Sequence, residues 1–175
     1  MITSAPATAE MTAAAEALLD PTVHDSFSIL GEVITIVLSQ AQTGGTLTIM
    51  EVRSPPGGGM PVLHAHPGAK TFVGLSGTYD IYGETEGEPV TLTACPGTTV
   101  HVPSEAPHGY VNVGSTPGRM LVLVHGETRL EAFIRDVGVP LDNGAPEEAR
   151  ATTGLDHLRD VIDAYNIRIV DDLWA

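Results

Sequence analysis

Three histidines have the spacing of a metal site: His64 and His66, separated by one residue, and His108 in a later segment. In a β-strand, side chains two residues apart point to the same face, so His64 and His66 can be directed at one point. A third imidazole from another strand would complete a set of nitrogen ligands that suits one divalent transition metal, such as Fe, Ni, Co, Cu, Mn or Zn. The alternative is that these histidines bind no metal.

The segments around these histidines resemble the two motifs of the cupin superfamily. The first motif reads G-x5-H-x-H-x3,4-E-x6-G, and it is matched by Gly58, His64, His66 and Gly77. The second reads G-x5-P-x-G-x2-H-x3-N, and it is matched by Gly97, Pro103, His108 and Asn112, with Glu105 at the family's glycine. From about Leu30 onward the sequence is similar to single-domain cupins related to bacterial quercetinases. The resemblance implies an antiparallel β-sandwich barrel of jelly-roll type.

Lys70 stands where the family has its carboxylate ligand. Two unit charges 4 Å apart interact by roughly 4 kcal/mol at an effective dielectric constant near 20, so a charged Lys70 is nearly incompatible with a tightly bound divalent ion. Lys70 is therefore neutral because burial lowers its pKa, or it pairs with a carboxylate such as Glu51 or Glu105, or the metal is absent and Lys70 is the functional group. We predict a catalytic Lys70 that faces inward, as an acid, a base or a Schiff-base nucleophile.

Further candidates follow from the strand pattern. Tyr110 lies two residues after His108, on the same face, and we predict that it is catalytic. Tyr79 is predicted to hydrogen-bond a substrate oxygen. The alternative for both tyrosines is ordinary core packing. The predicted apolar lining of the interior, which suits a hydrophobic or aromatic small molecule, consists of Met50, Phe72, Ile81 and Leu123.

Length and composition favour one globular domain. The chain has 175 residues, enough for a sizeable core, and 42% of them are hydrophobic, which is inconsistent with disorder. Its 19 glycines and 13 prolines are typical of many short strands joined by turns.

Charge and segment lengths exclude several classes of partner. The net charge of −14 argues against nucleic acid and anionic membranes, because both attract basic patches. Residues 1–19 lack the basic start and apolar centre of a signal peptide, and no apolar run approaches a membrane span. Cys95 is the only cysteine, so no intrachain disulfide exists. We predict a soluble cytoplasmic protein with a small-molecule substrate.

Turn signals at short intervals divide the chain into a barrel and two flanking segments. We predict an N-terminal helical arm over residues 1–27, with a helix at Ser4–Leu19, a β-barrel over 28–126, and C-terminal helices and a tail over 127–175. The predicted C-terminal helices are Leu130–Val137 and Leu155–Tyr165, joined by a polar connection and followed by an apolar tail. Exposed strand edges and the apolar faces of the helical segments are expected to pack against a second subunit, so we predict a homodimer.

The family resemblance leaves three functions open. The first is a metal-dependent oxidoreductase with quercetinase-like dioxygenase chemistry on an aromatic or polyketide-like molecule of secondary metabolism. The second is a redox-neutral cyclase, isomerase or lyase that uses Lys70 for proton transfer, with or without metal. The third is a cupin that binds a small molecule without catalysis. Fold alone does not separate them.

Overall fold

Short β-strands dominate the part of the chain that a computed structural model describes, residues 24–126, 128–141, 157–158 and 161–171. The strands in these ranges are β1 (Asp25–Ile29), β2 (Glu32–Leu38), β3 (Leu47–Ser54), β4 (Gly59–Ala65), β5 (Ala69–Ser76), β6 (Tyr79–Thr85), β7 (Glu88–Ala94), β8 (Thr99–Val102), β9 (His108–Asn112), β10 (Gly118–His125), β11 (Val139–Leu141) and β12 (Arg168–Asp171). Helix α1 spans Leu130–Val137, and 3-10 helices span Ala41–Thr43 and Ile162–Tyr165.

Two antiparallel sheets enclose the core. The larger sheet has the strand order β11-β1-β2-β3-β10-β5-β8, and the smaller has the order β12-β4-β9-β6-β7. Buried residues of both sheets form one hydrophobic cluster, with Met50 and Phe72 from the larger sheet and Tyr79 and Ile81 from the smaller. This architecture confirms the predicted β-sandwich barrel of jelly-roll type.

The alternation of side chains along each strand decides which residues reach the interior. Val122 of β10 is opposite Met50 and Phe72 in the neighbouring strands, and all three are buried. Leu123 is opposite Ile49 and Thr71 and is only half-buried. Leu123 therefore lies on the outer face of the larger sheet, not in the interior where we predicted it.

The segment from Ser28 to Leu38 carries apolar residues on both faces, a pattern that predicts one strand, but the chain forms a hairpin there. It turns at Leu30 and Gly31, whose φ angles are 51° and 78°. Two successive residues with positive φ give a type I′ turn, whose twist matches the flanking strands. Leucine rarely adopts this conformation, so Leu30 gave no turn signal. As a result the first strand begins at Asp25, before the predicted barrel boundary.

The C-terminal segment adds strands as well as helices. Helix α1 has the predicted bounds. The predicted helix at 155–165 lies partly outside the described residues. Its described end is a 3-10 helix that stops at Asn166, whose φ of 58° is left-handed. The predicted tail instead contains β12, which pairs with β4. The predicted helix at Ser4–Leu19 and residues 142–152 of the polar connection lie outside the described ranges. No helix within these ranges is long and apolar enough to cross a membrane.

Candidate metal centre

Strands β4 and β9 of the smaller sheet bring the three histidines together. His64 lies in β4, His66 follows the last residue of β4, and His108 begins β9. His64 and His108 are directly paired across the two strands. The three residues are 7%, 2% and 2% exposed, so the predicted trio meets at a buried position.

Each imidazole is oriented by a backbone carbonyl. The Nδ1 atoms of His64, His66 and His108 lie 2.8, 2.8 and 2.9 Å from the carbonyl oxygens of Val62, Pro67 and Ala106. A carbonyl oxygen can only accept, so each Nδ1 donates its proton and each Nε2 presents a lone pair. The Nε2 atoms of His66 and His108 are buried and have no hydrogen-bond partner among the described residues. Buried polar atoms without partners are costly, and a bound ion would satisfy them.

The ring nitrogens are close enough to share one ion. One ligand nitrogen from each histidine lies within 4.8 Å of the other two. Three atoms at that separation share a point about 2.8 Å or less from each, so each nitrogen would have to move inward by at most about 0.8 Å to reach the 2.0–2.1 Å of a Zn–N bond. His64, His66 and His108 therefore fit a divalent metal ion.

Burial keeps the three imidazoles uncharged. It is the largest cause of the lowered pKa values, which fall to about 3 for His64 and about 2 for His66, with the pKa of His108 far below its usual range. The positive charge of Lys70 lowers all three pKa values further. Metal ligation requires the neutral ring, so the trio is in its ligating form at neutral pH.

Lys70 of β5 enters the same interior from the larger sheet. It is 6% exposed, and burial lowers its pKa from 10.5 to about 7. The carboxylates considered as its partners are engaged elsewhere, Glu51 with two arginines and Glu105 with Arg168. The structure therefore disagrees with the alternative in which Lys70 turns away to an acidic neighbour, and it agrees with an amine that is partly uncharged at neutral pH.

A mostly apolar cavity opens beside the histidines and Lys70. It has about 810 Å³ of empty space, counting its open mouth. His64, Lys70 and Tyr110 are the polar side chains of its lining. Met50 and Phe72 line it as well, whereas Tyr79 and Ile81 lie in the core outside this lining, and Leu123 is on the outer face.

The C-terminal segment supplies one wall of the cavity. Its contribution comes from α1, from Leu158, from the second 3-10 helix and from the residues around β12. The lining residues are Leu130, Phe133, Ile134, Leu158, Ile162, Ile167 and Ile169. Sequence periodicity indicated apolar helix faces here, but it did not indicate that they close over the site.

Tyr110 lines the cavity with its ring, but its hydroxyl is directed at a buried carboxyl group. Tyr110 Oη donates to Glu32 Oε2 at 2.8 Å, and the hydroxyl of Ser54 donates to the other oxygen. Glu32 is 2% exposed, and burial raises its pKa to about 7 although both hydrogen bonds lower it. A catalytic Tyr110 would have to give up this bond. The sequence analysis did not single out Glu32. The available signal was an acidic residue directly before an apolar strand.

Glu32→Gln should stabilise the protein above pH 7. The pKa of Glu32 is about 7 in the folded chain against 4.5 unfolded, so its favourable contribution is complete below pH 4.5 and lost as the pH rises through 7. Glutamine keeps an acceptor oxygen but cannot ionise. We therefore expect the free energy of unfolding of Glu32→Gln, relative to that of the native chain, to be on the order of 3 kcal/mol higher at pH 8 than at pH 4. Urea unfolding at both pH values measures it. Glu51→Gln, on the outer face, should show no such gain, and an equal effect of Glu32→Gln at both pH values would contradict the assignment.

Several motif residues have structural roles. Gly77 and Gly97 have φ angles of 79° and 85°, which glycine adopts without strain. Glu105 has φ 63°, in the same left-handed region, at the position where the motif has glycine. The buried amide of Asn112 donates to the carbonyl oxygens of Ser54, Pro55 and Thr116, and so fixes the loops beside the smaller sheet.

The family comparison agrees with this geometry. Residues 50–124 match the family model described as "Cupin domain". The match extends from β3 to β10 and includes the three histidines and Lys70. The match covers less than half of the 175-residue chain, and together with the barrel described above it supports the cupin fold that the motifs predict. No protein with a curated description matches the chain.

Solved structures share the fold at low sequence identity. The polyketide cyclase RemF from Streptomyces resistomycificus is 19% identical, with a TM-score of 0.50 over 61% of this chain and 77% of that one. An oxalate oxidase is 23% identical, with a TM-score of 0.48 over 55% of this chain and 52% of that one. The chain thus spans about half the length of the oxalate oxidase. These two neighbours are enzymes of different kinds, and at these identities they show the fold alone.

Proposed function

We propose that the chain is a metal-dependent cupin enzyme that acts on an apolar small molecule at the three-histidine centre. The supporting observation is the convergence of three neutral imidazoles, two of them with unpartnered buried Nε2 atoms, at the wall of an apolar cavity. His64 belongs both to the trio and to the cavity lining, so a ligand in the cavity would adjoin the centre.

The surrounding residues determine how a substrate would be treated. A metal ion held by His64, His66 and His108 would supply Lewis acidity toward a substrate oxygen. The apolar walls would bind the substrate body and exclude water. Lys70, with a pKa of about 7, is partly uncharged at neutral pH and would accept a proton from a substrate hydroxyl group or from a carbon next to a carbonyl.

Within this class we propose dioxygenase-type oxidation of an enolisable aromatic or polyketide-like molecule, as the resemblance to quercetinase-like cupins implies. The second candidate is a redox-neutral cyclase, isomerase or lyase. It is favoured by one observation: the proton acceptor beside the trio is an amine instead of the family's carboxylate. The predicted homodimer and cytoplasmic location stay predictions.

Metal analysis and oxygen uptake on the same preparation test the proposal. We expect one transition-metal ion per chain and consumption of oxygen in step with the loss of a flavonol. Loss of substrate without oxygen would favour the redox-neutral candidate. Binding without turnover in either atmosphere would favour the non-enzymatic alternative, and a chain that takes up no metal after incubation with Fe, Ni, Co or Zn would overturn the metal centre.

A further inference from the structure

Lys70 is the single lysine of this 175-residue chain, in which arginine occupies all other basic positions. Lysine is among the residues least often buried, yet this one is 6% exposed and lines the cavity. Arginine stays protonated in proteins, whereas a buried lysine readily becomes an uncharged amine. The chain therefore places its one side-chain primary amine where that amine can be uncharged and can reach a ligand.

We propose that Lys70 is a nucleophilic amine that forms an imine with the aldehyde or ketone group of an apolar ligand in the cavity. This inference shares with the proposed function the assumption that the cavity is the ligand site. It does not require a bound metal. It assigns to the site a covalent capture step that the histidine trio does not explain.

The environment of Lys70 fits a nucleophile better than a structural cation. Burial is the cause of its lowered pKa, and the carboxylates of Glu51 and Glu105 are paired with arginines. Among the ionisable groups that face the same interior, burial keeps the three imidazoles neutral, and Tyr110 and Glu32 are hydrogen-bonded to each other. An amine without an ionic partner keeps its lone pair available for attack.

The chemistry is balanced without an oxidant or reductant. The lone pair of Nζ attacks the carbonyl carbon, a C–N bond forms, and the carbonyl oxygen takes up one proton from the amine. Loss of the second amine proton with that oxygen, as water, leaves the C=N double bond. Apolar walls that include Met50, Phe72 and Val122 would shelter the imine from hydrolysis and would select a carbonyl compound with an apolar body over a charged one.

Reductive trapping tests the inference on the full-length chain at pH 7. The probe is benzaldehyde with sodium cyanoborohydride, and the readouts are intact mass and peptide mapping. We expect one benzyl group per chain, located on Lys70, and complete loss of that label in Lys70→Met, whose only primary amine is the α-amino group. Glyoxylate, a small charged aldehyde, should label Lys70 far less than benzaldehyde.

Label found only on the α-amino group would overturn the inference, as would labelling of Lys70 that is no faster than in the guanidinium-unfolded chain. Peptide mapping of the native sequence gives this answer even where Lys70→Met folds poorly. The trapping is run after chelator treatment and again with added zinc, with metal content measured on both samples. Failure to label a chain that binds metal counts against the imine alone, whereas labelling of a chain that binds no metal counts against the metal centre alone.

Discussion

His66→Ala is expected to abolish stoichiometric binding of a divalent metal. His66 supplies one of the three nitrogen ligands of the centre, and its Nε2 is buried without another partner among the described residues. Removing even an outer hydrogen-bond partner of a metal ligand costs about 10–100-fold in affinity, so loss of a ligand should cost more than that. Calorimetric titration with zinc or cobalt and metal analysis of the purified variant measure the effect.

His101→Ala is the matched control for this experiment. His101 is exposed on the outer face of the larger sheet, where its Nδ1 lies 3.0 Å from Thr71 Oγ1, and its removal should leave metal binding unchanged. His66→Ala replaces a neutral buried ring with a smaller apolar group, so circular dichroism should show a folded chain. Metal binding by His66→Ala equal to that of His101→Ala would place the ion somewhere other than the trio.

Local periodicity and motif spacing together explain why the histidines and Lys70 could be located from the sequence. A strand directs residues two and four positions apart to one face, so the spacing of His64 and His66 is enough to predict their common direction. The motif spacing then indicated that His108 comes from another strand. The pairing of His64 with His108 and the burial of all three residues agree with that prediction.

The features that sequence reasoning missed depend on contacts between distant parts of the chain. The bond from Tyr110 to Glu32 joins residues far apart in sequence, and nothing near either residue indicates the other. The pairing of β12 with β4 likewise brings Ile169 beside His64. The Leu123 error was different: one residue of register decides between the two faces of a strand, and its apolar neighbours on both sides gave no alternation to follow.

Lys70 and Glu32 are two buried ionisable groups whose pKa values both move to about 7, from opposite directions. Burial is the main cause for each, and the glutamate is not among the causes that shift the lysine. The two groups therefore do not form an ion pair that would hold both charged. Each is free to become neutral inside the barrel, and this is why Lys70 is compatible with a metal beside it.

The metal affinity of the native chain should fall as the pH is lowered from 7 to 5, and Lys70→Met should remove this decrease. Lys70 gains its proton below its folded pKa of about 7. Two positive unit charges 4 Å apart repel each other by roughly 4 kcal/mol at an effective dielectric constant near 20, so the metal ion and the proton on Lys70 compete. Below the pKa of Lys70, the metal affinity should therefore fall by about tenfold per pH unit. Protonation of the histidines does not contribute in this window, because burial holds the pKa values of His64 and His66 at about 3 and 2.

Lys70→Glu is a third chain for this comparison, with a negative charge where the native chain has an amine. A carboxylate at this position replaces a repulsion with an attraction and restores the fourth ligand of the motif, so metal should bind more tightly than in Lys70→Met. Without metal, the new carboxyl group of Lys70→Glu should destabilise the fold, because burial disfavours its charge just as it disfavours the charge of Glu32. Bound metal would offset this cost, so metal should raise the melting temperature most in this variant. Chelator competition at pH 5, 6 and 7 gives the affinities of all three chains. A native chain with no pH dependence in that range, or a Lys70→Met variant that keeps it, would show that Lys70 does not act on the bound ion.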